Sequence, residues 1–357
     1  MPTRPLFCTA EEVEALLGID DAIVSQRRAF TALAHGAADL PPKIMHASRF
    51  DDSVMFCYAS RLSADTGAVA KFGSVNPGNA ERGIPAVSAV VVVLDPTTGH
   101  VVAVLDGTAV TTVRTAAASA VAFDALALPD ADELGLLGSG TQAVAHARAV
   151  ARVRPLRAVR VWSPTEEHRV RAAERLTAEL GVRAEAVPTA RAAVDGAPMV
   201  ATCTLSRDPV LLGEWLAPGA TVVSVGSFEP DRHEVDAGAL RRAAAVVVDD
   251  PETAAGHAGP VVAALRRGDL GSGDLVPLGE VLTGRRGART GDRDIVLHFS
   301  VGLGIQDAAA GWAVVEAARA AEGLGETGGG GRADEAVRAV GDSADAVDVS
   351  ERAEVRR

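Results

Sequence analysis

The chain has 357 residues, 48% of them apolar but only 3% aromatic, and a formal charge of −12. That length exceeds what one core usually organises, so two domains are expected, with interiors built from Ala, Val and Leu. An acidic surface repels phosphate backbones and anionic lipid, so nucleic acid and membranes are not expected as partners.

Glu11, Glu12 and Glu14 stand where a signal peptide would need an apolar segment, which argues against export. Thr9 ahead of them is a helix cap, and apolar spacing predicts two helices within residues 9–36. From 43 to 106 short apolar segments predict strands, broken at Asp51-Asp52, Asn76-Pro77-Gly78-Asn79 and Asp95-Pro96-Thr97-Thr98-Gly99. The last break is a hairpin turn between 87–94 and 101–105. Even the longest apolar run, 84–94, is too short for a membrane helix. Cys8, Cys57 and Cys203 are odd in number and lack ligand spacing, which argues against a disulfide framework and against a metal site. A cytoplasmic location is the expectation.

An Ala-rich helix is predicted over 108–128, and Pro129-Asp130-Ala131-Asp132 marks a boundary. Beyond it, strands are predicted at 133–137, 158–162, 184–187, 199–202, 221–225, 245–248 and 295–299. Helices are predicted at 141–152, 166–180, 236–242 and 259–267. This alternation predicts an α/β fold, a Rossmann doubly wound parallel sheet over 119–302. Beside it, residues 1–118 are expected to form an α+β domain, to which a helix predicted from Ile305 to about 322, outside the nucleotide fold, returns. The stretch 326–357 opens on Gly328 to Gly331 and has no aromatic residue, so disorder is expected.

Gly138-Ser139-Gly140-Thr141-Gln142-Ala143 runs from a predicted strand into a predicted helix, the context a dinucleotide loop requires. The glycines allow a tight turn and close approach of a pyrophosphate, and the helix start at Thr141 offers unpaired N–H groups. The next strand leads into Ser163-Pro164-Thr165 with no acid to meet an adenosine ribose. Without that repulsion the reading leans to NADP and leaves NAD open. Ser163 and Thr165 are also expected to cap the following helix.

Lys71, Asn76-Pro77-Gly78-Asn79, Gly83-Ile84-Pro85-Ala86, Asp106-Gly107 and Thr111-Thr112-Val113-Arg114-Thr115-Ala116-Ala117 come in this order ahead of the glycine loop. Gly226-Ser227-Phe228-Glu229-Pro230-Asp231, Ser300-Val301-Gly302 and Asp307 follow it. Over residues 10–322 the set resembles the ornithine cyclodeaminase/μ-crystallin family. The resemblance implies a homodimer joined through substrate domains, a nicotinamide cofactor, and chemistry at an amino or imino carbon. It implies that Arg114 clamps a substrate carboxylate, that Lys71 polarises or protonates near the reacting carbon, and that Lys43 is a second carboxylate contact. Val301 and Gly302 go with the substrate; Arg114, Thr115, Thr204, Val225 and Ser300 go with the cofactor. A bidentate guanidinium suits a carboxylate on physical grounds too. Structural ion pairs remain an alternative for Lys71 and Arg114, and a simply solvated side chain for Lys43.

One departure bears on the reaction. The family's cyclodeaminases carry an Asp two places before the Pro of the loop at 226–231, where this chain has Phe228. A phenyl ring accepts no proton, so reduction of an α-imino acid is favoured over cyclisation, with Phe228 lining an apolar pocket. Glu229, on a strand-like loop, would face the opposite side. The alternatives are an amino-acid dehydrogenase or cyclodeaminase, and a non-catalytic protein binding NADPH and a small ligand. His146 and His168 are read as helix-surface residues and His233 as a loop residue. Asp307 either caps the last helix or faces the active site.

Overall fold

The computed structural model describes residues 4–82, 84 and 87–327. Its first elements are β1 (Leu6–Cys8), α1 (Ala10–Leu16) and α2 (Ile19–Ala34). Thr9 and Glu12 close a reciprocal capping box, the Thr9 N–H donating to Glu12 at 2.8 Å, which turns the chain sharply from strand into helix. Then come β2 (Ile44–Ala47), β3 (Val54–Ser60), β4 (Val69–Val75), β5 (Val87–Leu94), β6 (Val101–Asp106) and the helix α3 (Gly107–Leu126). The six strands form one sheet in the order β1-β6-β5-β4-β3-β2, antiparallel except where β1 runs beside β6. β1 has no counterpart in the sequence reading, because three residues are too few to show a period.

Strand alternation gives this sheet two unlike faces. Val69, Lys71, Val91, Val93, Ala103 and Leu105 point to the buried side. The other side carries Phe7, Ile44, Met55 and Phe72, exposed at 56%, 62%, 47% and 54%. Ile44, Cys57, Phe72 and Val90 stand opposite one another across four strands, so the exposed apolar groups are side by side.

After α3 the chain alternates: β7 (Glu133–Leu137), α4 (Thr141–Val153), β8 (Ala158–Trp162), α5 (Glu166–Leu180), β9 (Arg183–Ala186), α6 (Ala190–Val194), β10 (Met199–Thr202) and β11 (Thr221–Ser224). It continues through α7 (Ala237–Arg242), β12 (Ala243–Val248), α8 (Pro251–His257), α9 (Gly259–Arg267), β13 (Leu275–Pro277), α10 (Leu278–Leu282), β14 (Ile295–Phe299) and α11 (Gly304–Thr327). The second sheet has the order β13-β12-β14-β11-β10-β7-β8-β9 with every pair parallel. From β7 the chain winds outward to β9 and then crosses back to β10, so the direction of winding reverses between β7 and β10. Ligands of such sheets bind at this reversal, outside the carboxyl ends of the strands. β10, β11 and β14 are buried on both faces, which fits their mostly apolar composition, broken by His298 in β14 and by hydroxyl residues at the ends of β10 and β11.

Every predicted strand and helix from 133 to 299 is present, with ends displaced by one or two residues. The short α6, α8, α10 and β13 escaped the sequence reading. α11 runs to Thr327, past the expected end near 322. Gly83, Pro85, Ala86 and the expected tail beyond Thr327 lie outside the described residues. No helix among the described residues is long and apolar enough to cross a membrane.

His146 is not on a helix surface, as its sequence context suggested; it is fully buried where α4 packs on α3. Its Nδ1–H donates to the Gln142 carbonyl at 2.7 Å, leaving Nε2 to accept from Ser119 Oγ at 2.8 Å. A neutral ring satisfies both contacts, and burial pushes its pKa from 6.5 down to about 4. Below pH 6.5 the unfolded chain therefore binds the proton more readily than the native one. His146 is expected to remove about 3 kcal/mol of stability as the pH falls from about 6.5 to about 4, and nothing above that window. Urea denaturation of the wild type and His146→Gln across this range measures it; equal pH dependence in both would contradict the assignment.

Candidate active site

β4 places Lys71 on the buried face, opposite Tyr58 of β3. Its ammonium lies 4.8 Å from the Tyr58 ring centroid, 3.4 Å from Thr111 Oγ1 on α3, and 3.0 and 2.9 Å from the two carboxylate oxygens of Asp307. Asp307 comes from the first turn of α11, where the helix dipole favours an anion. The same Oδ1 accepts from Arg114 Nε of α3 at 3.0 Å, and Arg114 Nη1 reaches Gln306 Oε1 at 3.3 Å. All three charged side chains are at most 5% exposed. Asp307 thus faces Lys71 and Arg114.

Ion pairing of Lys71 and Arg114 is real, but it is incomplete. Two cations share one carboxylate, so a formal charge of +1 is left over, and Arg114 Nη2 has no acceptor among the described residues. Burial pushes the Lys71 amine down to about 8, with Asp307 opposing and Arg114 assisting the shift. A buried surplus of positive charge beside an unpaired guanidinium N–H is a site for an anion.

Lys43 joins this group at its edge. Its Nζ donates to the Val301 carbonyl at 3.3 Å and lies 5.4 Å from the Tyr58 ring centroid. Burial lowers its pKa to about 8, against the attraction of Asp249. Tyr58 between the two amines is pushed up to about 12, by burial first and then by Asp307. Gly302 follows β14 with φ +73°, and a Cβ there would lie 3.2 Å from both Nη1 and Nη2 of Arg114. The glycine is therefore needed twice, for the left-handed turn and for the guanidinium it abuts.

Phe228 is half-buried but not in purely apolar surroundings, as expected of it: the Arg232 guanidinium lies 5.0 Å from its ring centroid, held at 2.8 Å by Glu229. The loop after β11 is not strand-like, so alternation does not turn Glu229 away; its charge is felt at Tyr58. His168 is exposed and His233 lies in a loop.

The glycine loop joins β7 to α4 as predicted. Gly138 has φ +126°, and a Cβ would meet the Cys203 carbonyl oxygen at 2.7 Å. Around Gly140, the N-cap of α4, nothing lies within 4 Å of a built Cβ, so the backbone of the helix start is approachable. Ser139 Oγ donates to Ser163 Oγ at 2.9 Å, which ties the first loop to the second. Ser163 is buried, while Thr141, Pro164 and Thr165 are exposed and Gln142 is half-buried. Thr165 is the N-cap of α5 by position but makes no side-chain cap, and Ser163 Oγ donates to the Thr165 carbonyl instead. These features fit a dinucleotide pyrophosphate.

The remaining hydroxyls are committed inside the protein. Thr115 donates to the Thr111 carbonyl in mid-helix, Thr204 to Glu234, and Ser300 to Asp249. Val225 follows β11 beside Gly226. Two carboxylates that the sequence reading passed over organise these strand ends. Buried Glu234 accepts from Thr202, Thr204, Ser224 and the Gly226 N–H, joining the ends of β10 and β11. Buried Asp249 does the same after β14. Asp249 directly follows β12, a placement too common to select it by sequence, and Glu234 lies in the loop between β11 and α7, where no local pattern marks it.

A family model described as the ornithine cyclodeaminase/mu-crystallin family matches residues 3–322. The chain belongs to that family. Within the ornithine cyclodeaminase/mu-crystallin family it is 33% identical to alanine dehydrogenase of Archaeoglobus fulgidus over 315 residues, 87% of this chain and 94% of the relative. The structure of Thermococcus litoralis Δ1-pyrroline-2-carboxylate reductase in complex with NADH and L-proline superimposes with a TM-score of 0.84 at 30% identity, covering 88% of this chain and 97% of that one. An archaeal alanine dehydrogenase dimer with bound NAD gives 0.83 at 32% identity, covering 91% and 98%.

Lys43 and Lys71 are the two lysines of the sequence. In protein labelled with carbon-13 at lysine Cε, two resonances are therefore expected, both titrating near pH 8 instead of 10.5. A resonance that stays unchanged up to pH 10 would contradict the burial of that amine.

Proposed function

We propose that the protein is an NAD(P)H-dependent oxidoreductase that reduces the C=N bond of a small α-imino acid, of the ketimine or pyrroline/piperideine-2-carboxylate type. The observation that carries this reading is the buried pair of cations sharing Asp307, next to the Gly302 turn at the carboxyl edge of the parallel sheet. A bound reduced nicotinamide supplies the hydride. Arg114, with Lys43 at the rim, holds the substrate carboxylate and so fixes the C=N carbon in the site. Lys71 donates the proton to the imine nitrogen from an amine that titrates near physiological pH, where proton transfer in either direction is least costly. Asp307 holds the Lys71 ammonium on its buried side and keeps its donors aimed. Phe228 brings no base, which is why cyclisation is not the reaction read here.

The same residues run in reverse oxidise an α-amino acid, with neutral Lys71 as base. The likeness to alanine dehydrogenases supports that direction as a second reading. For the cofactor, NADP is favoured over NAD: no acid stands at 163–165, and the Arg169 guanidinium donates to the Ser163 carbonyl at 3.2 Å, close enough to meet a 2′-phosphate. The uncovered apolar face of the first sheet supports a homodimer in which a second copy covers Phe7, Ile44, Met55 and Phe72. Residues 1–118 with 303–325 are read as the substrate and dimerisation domain and 119–302 as the cofactor domain.

Purified protein is expected to oxidise NADPH with a panel of cyclic imino acids. Lys71→Ala and Arg114→Ala should each lower kcat/KM by about 10²-fold or more; full turnover in both would refute their roles. Reduction requires protonated Lys71, so its rate should fall as the pH rises through about 8, and the oxidative rate should rise there. Thermal shifts with NADP and NAD rank the cofactors, a larger shift with NAD overturning the preference. Sedimentation should show a dimer that Phe72→Glu converts to monomer.

A further inference from the structure

The two cations that meet the substrate are themselves steered by a turn, Ser300 to Gly302, that has no regular secondary structure to hold it. Val301 offers its carbonyl to Lys43, and Gly302 abuts the terminal nitrogens of Arg114. Beside the Ser300 N–H, which donates to the Ser224 carbonyl at 2.9 Å, one carboxylate oxygen gathers three donors of this turn. Asp249 Oδ2 accepts from Ser300 Oγ at 3.0 Å, from the Val301 N–H at 2.9 Å and from the Gly302 N–H at 3.0 Å. Asp249 follows β12, is 1% exposed, and has its other oxygen 3.3 Å from Nε2 of His298, which is fully buried in β14. The mechanism above uses neither residue.

An interior carboxylate that accepts three donors with one oxygen is costly to desolvate and is retained only where those donors need a fixed acceptor. Two of the three are consecutive backbone N–H groups, which an uncharged side chain would hold less firmly. Gly302 sits in the left-handed region with Arg114 against it, so a small loosening of the turn moves the guanidinium edge directly.

We propose that Asp249 is a positioning residue for substrate recognition: it locks the Ser300–Gly302 turn and through it sets the spacing of Lys43 and Arg114 around the substrate carboxylate. This rests on the reading of the site as an α-imino acid pocket. Nε2 of His298 lies 3.3 Å from the other carboxylate oxygen without hydrogen-bond geometry. Asp249 also acts on Lys43 through space, its charge supporting the ammonium against burial, with Asp307 assisting and Arg114 and Lys71 opposing; the nearby His257 imidazole, pushed down to about 4 by burial and by the Lys43 charge, is neutral.

Asp249→Asn keeps the volume and one acceptor but loses the charge; Ser300→Ala removes one donor and no charge. For both, KM for a cyclic imino acid should rise, by about tenfold in Asp249→Asn and by less in Ser300→Ala, while kcat falls by a smaller factor than KM rises. In lysine-labelled Asp249→Asn the Lys43 resonance should titrate at lower pH than in the wild type. Wild-type KM in Ser300→Ala overturns the proposal even if Asp249→Asn does not fold. An unmoved Lys43 titration in folded Asp249→Asn overturns it too. If the wild type turns over no imino acid, the functional reading fails, while the lysine titration still reports on Asp249.

Discussion

The structure turns on a single buried carboxylate. Asp307 brings together a lysine from the first sheet and an arginine from the helix that lies against it, and its own helix begins at the carboxyl edge of the second sheet. No two of these elements are close in sequence. One negative charge between two positive ones, all out of water, makes the carboxylate hard to remove, because without Asp307 two cations would stand uncompensated in a poorly polarisable interior. It is also incompletely neutral, and that residual field is what an anionic substrate can exploit. The proposed recognition of substrate and the stability of the interior therefore draw on the same three side chains.

Around this centre the protein repeats one device. Loops at the carboxyl ends of parallel strands have no ladder partners, so their N–H groups and hydroxyls must be satisfied some other way. Glu234 performs this after β10 and β11, and Asp249 performs it after β14. Each draws its donors from the loops the cofactor and substrate readings depend on. Among the described residues, a chain with an acidic exterior thus keeps three carboxylates inside, each with several donors, at strand and helix ends.

The two lysines fit this economy. Thirty-three of the thirty-five basic residues are arginine, which stays charged in any surroundings, and many of those form ion pairs at the surface. Lysine is kept for two positions beside Tyr58, where a cation that can lose its proton has a use. That contrast sets apart the amines of the pocket from the guanidinium groups elsewhere.

Much was legible in the residues alone. Period-two and helical spacing, with the Gly138 loop between a strand and a helix, determined the alternating fold, because main-chain geometry ties those patterns to local structure. The family motifs marked Lys71 and Arg114, and the Phe228 substitution narrowed the chemistry, since side-chain type decides what can carry a proton. Burial and partnership were decided only by the tertiary structure. His146 looked like a surface residue until α3 supplied Ser119; Glu229 was turned by a loop whose shape no alternation rule describes; and Asp307 could have been a cap. The pairing of Lys71 with Asp307 joins positions 236 residues apart. A sequence pattern reports what neighbours along the chain must do, whereas charge pairing depends on distance in space, which only the completed packing supplies.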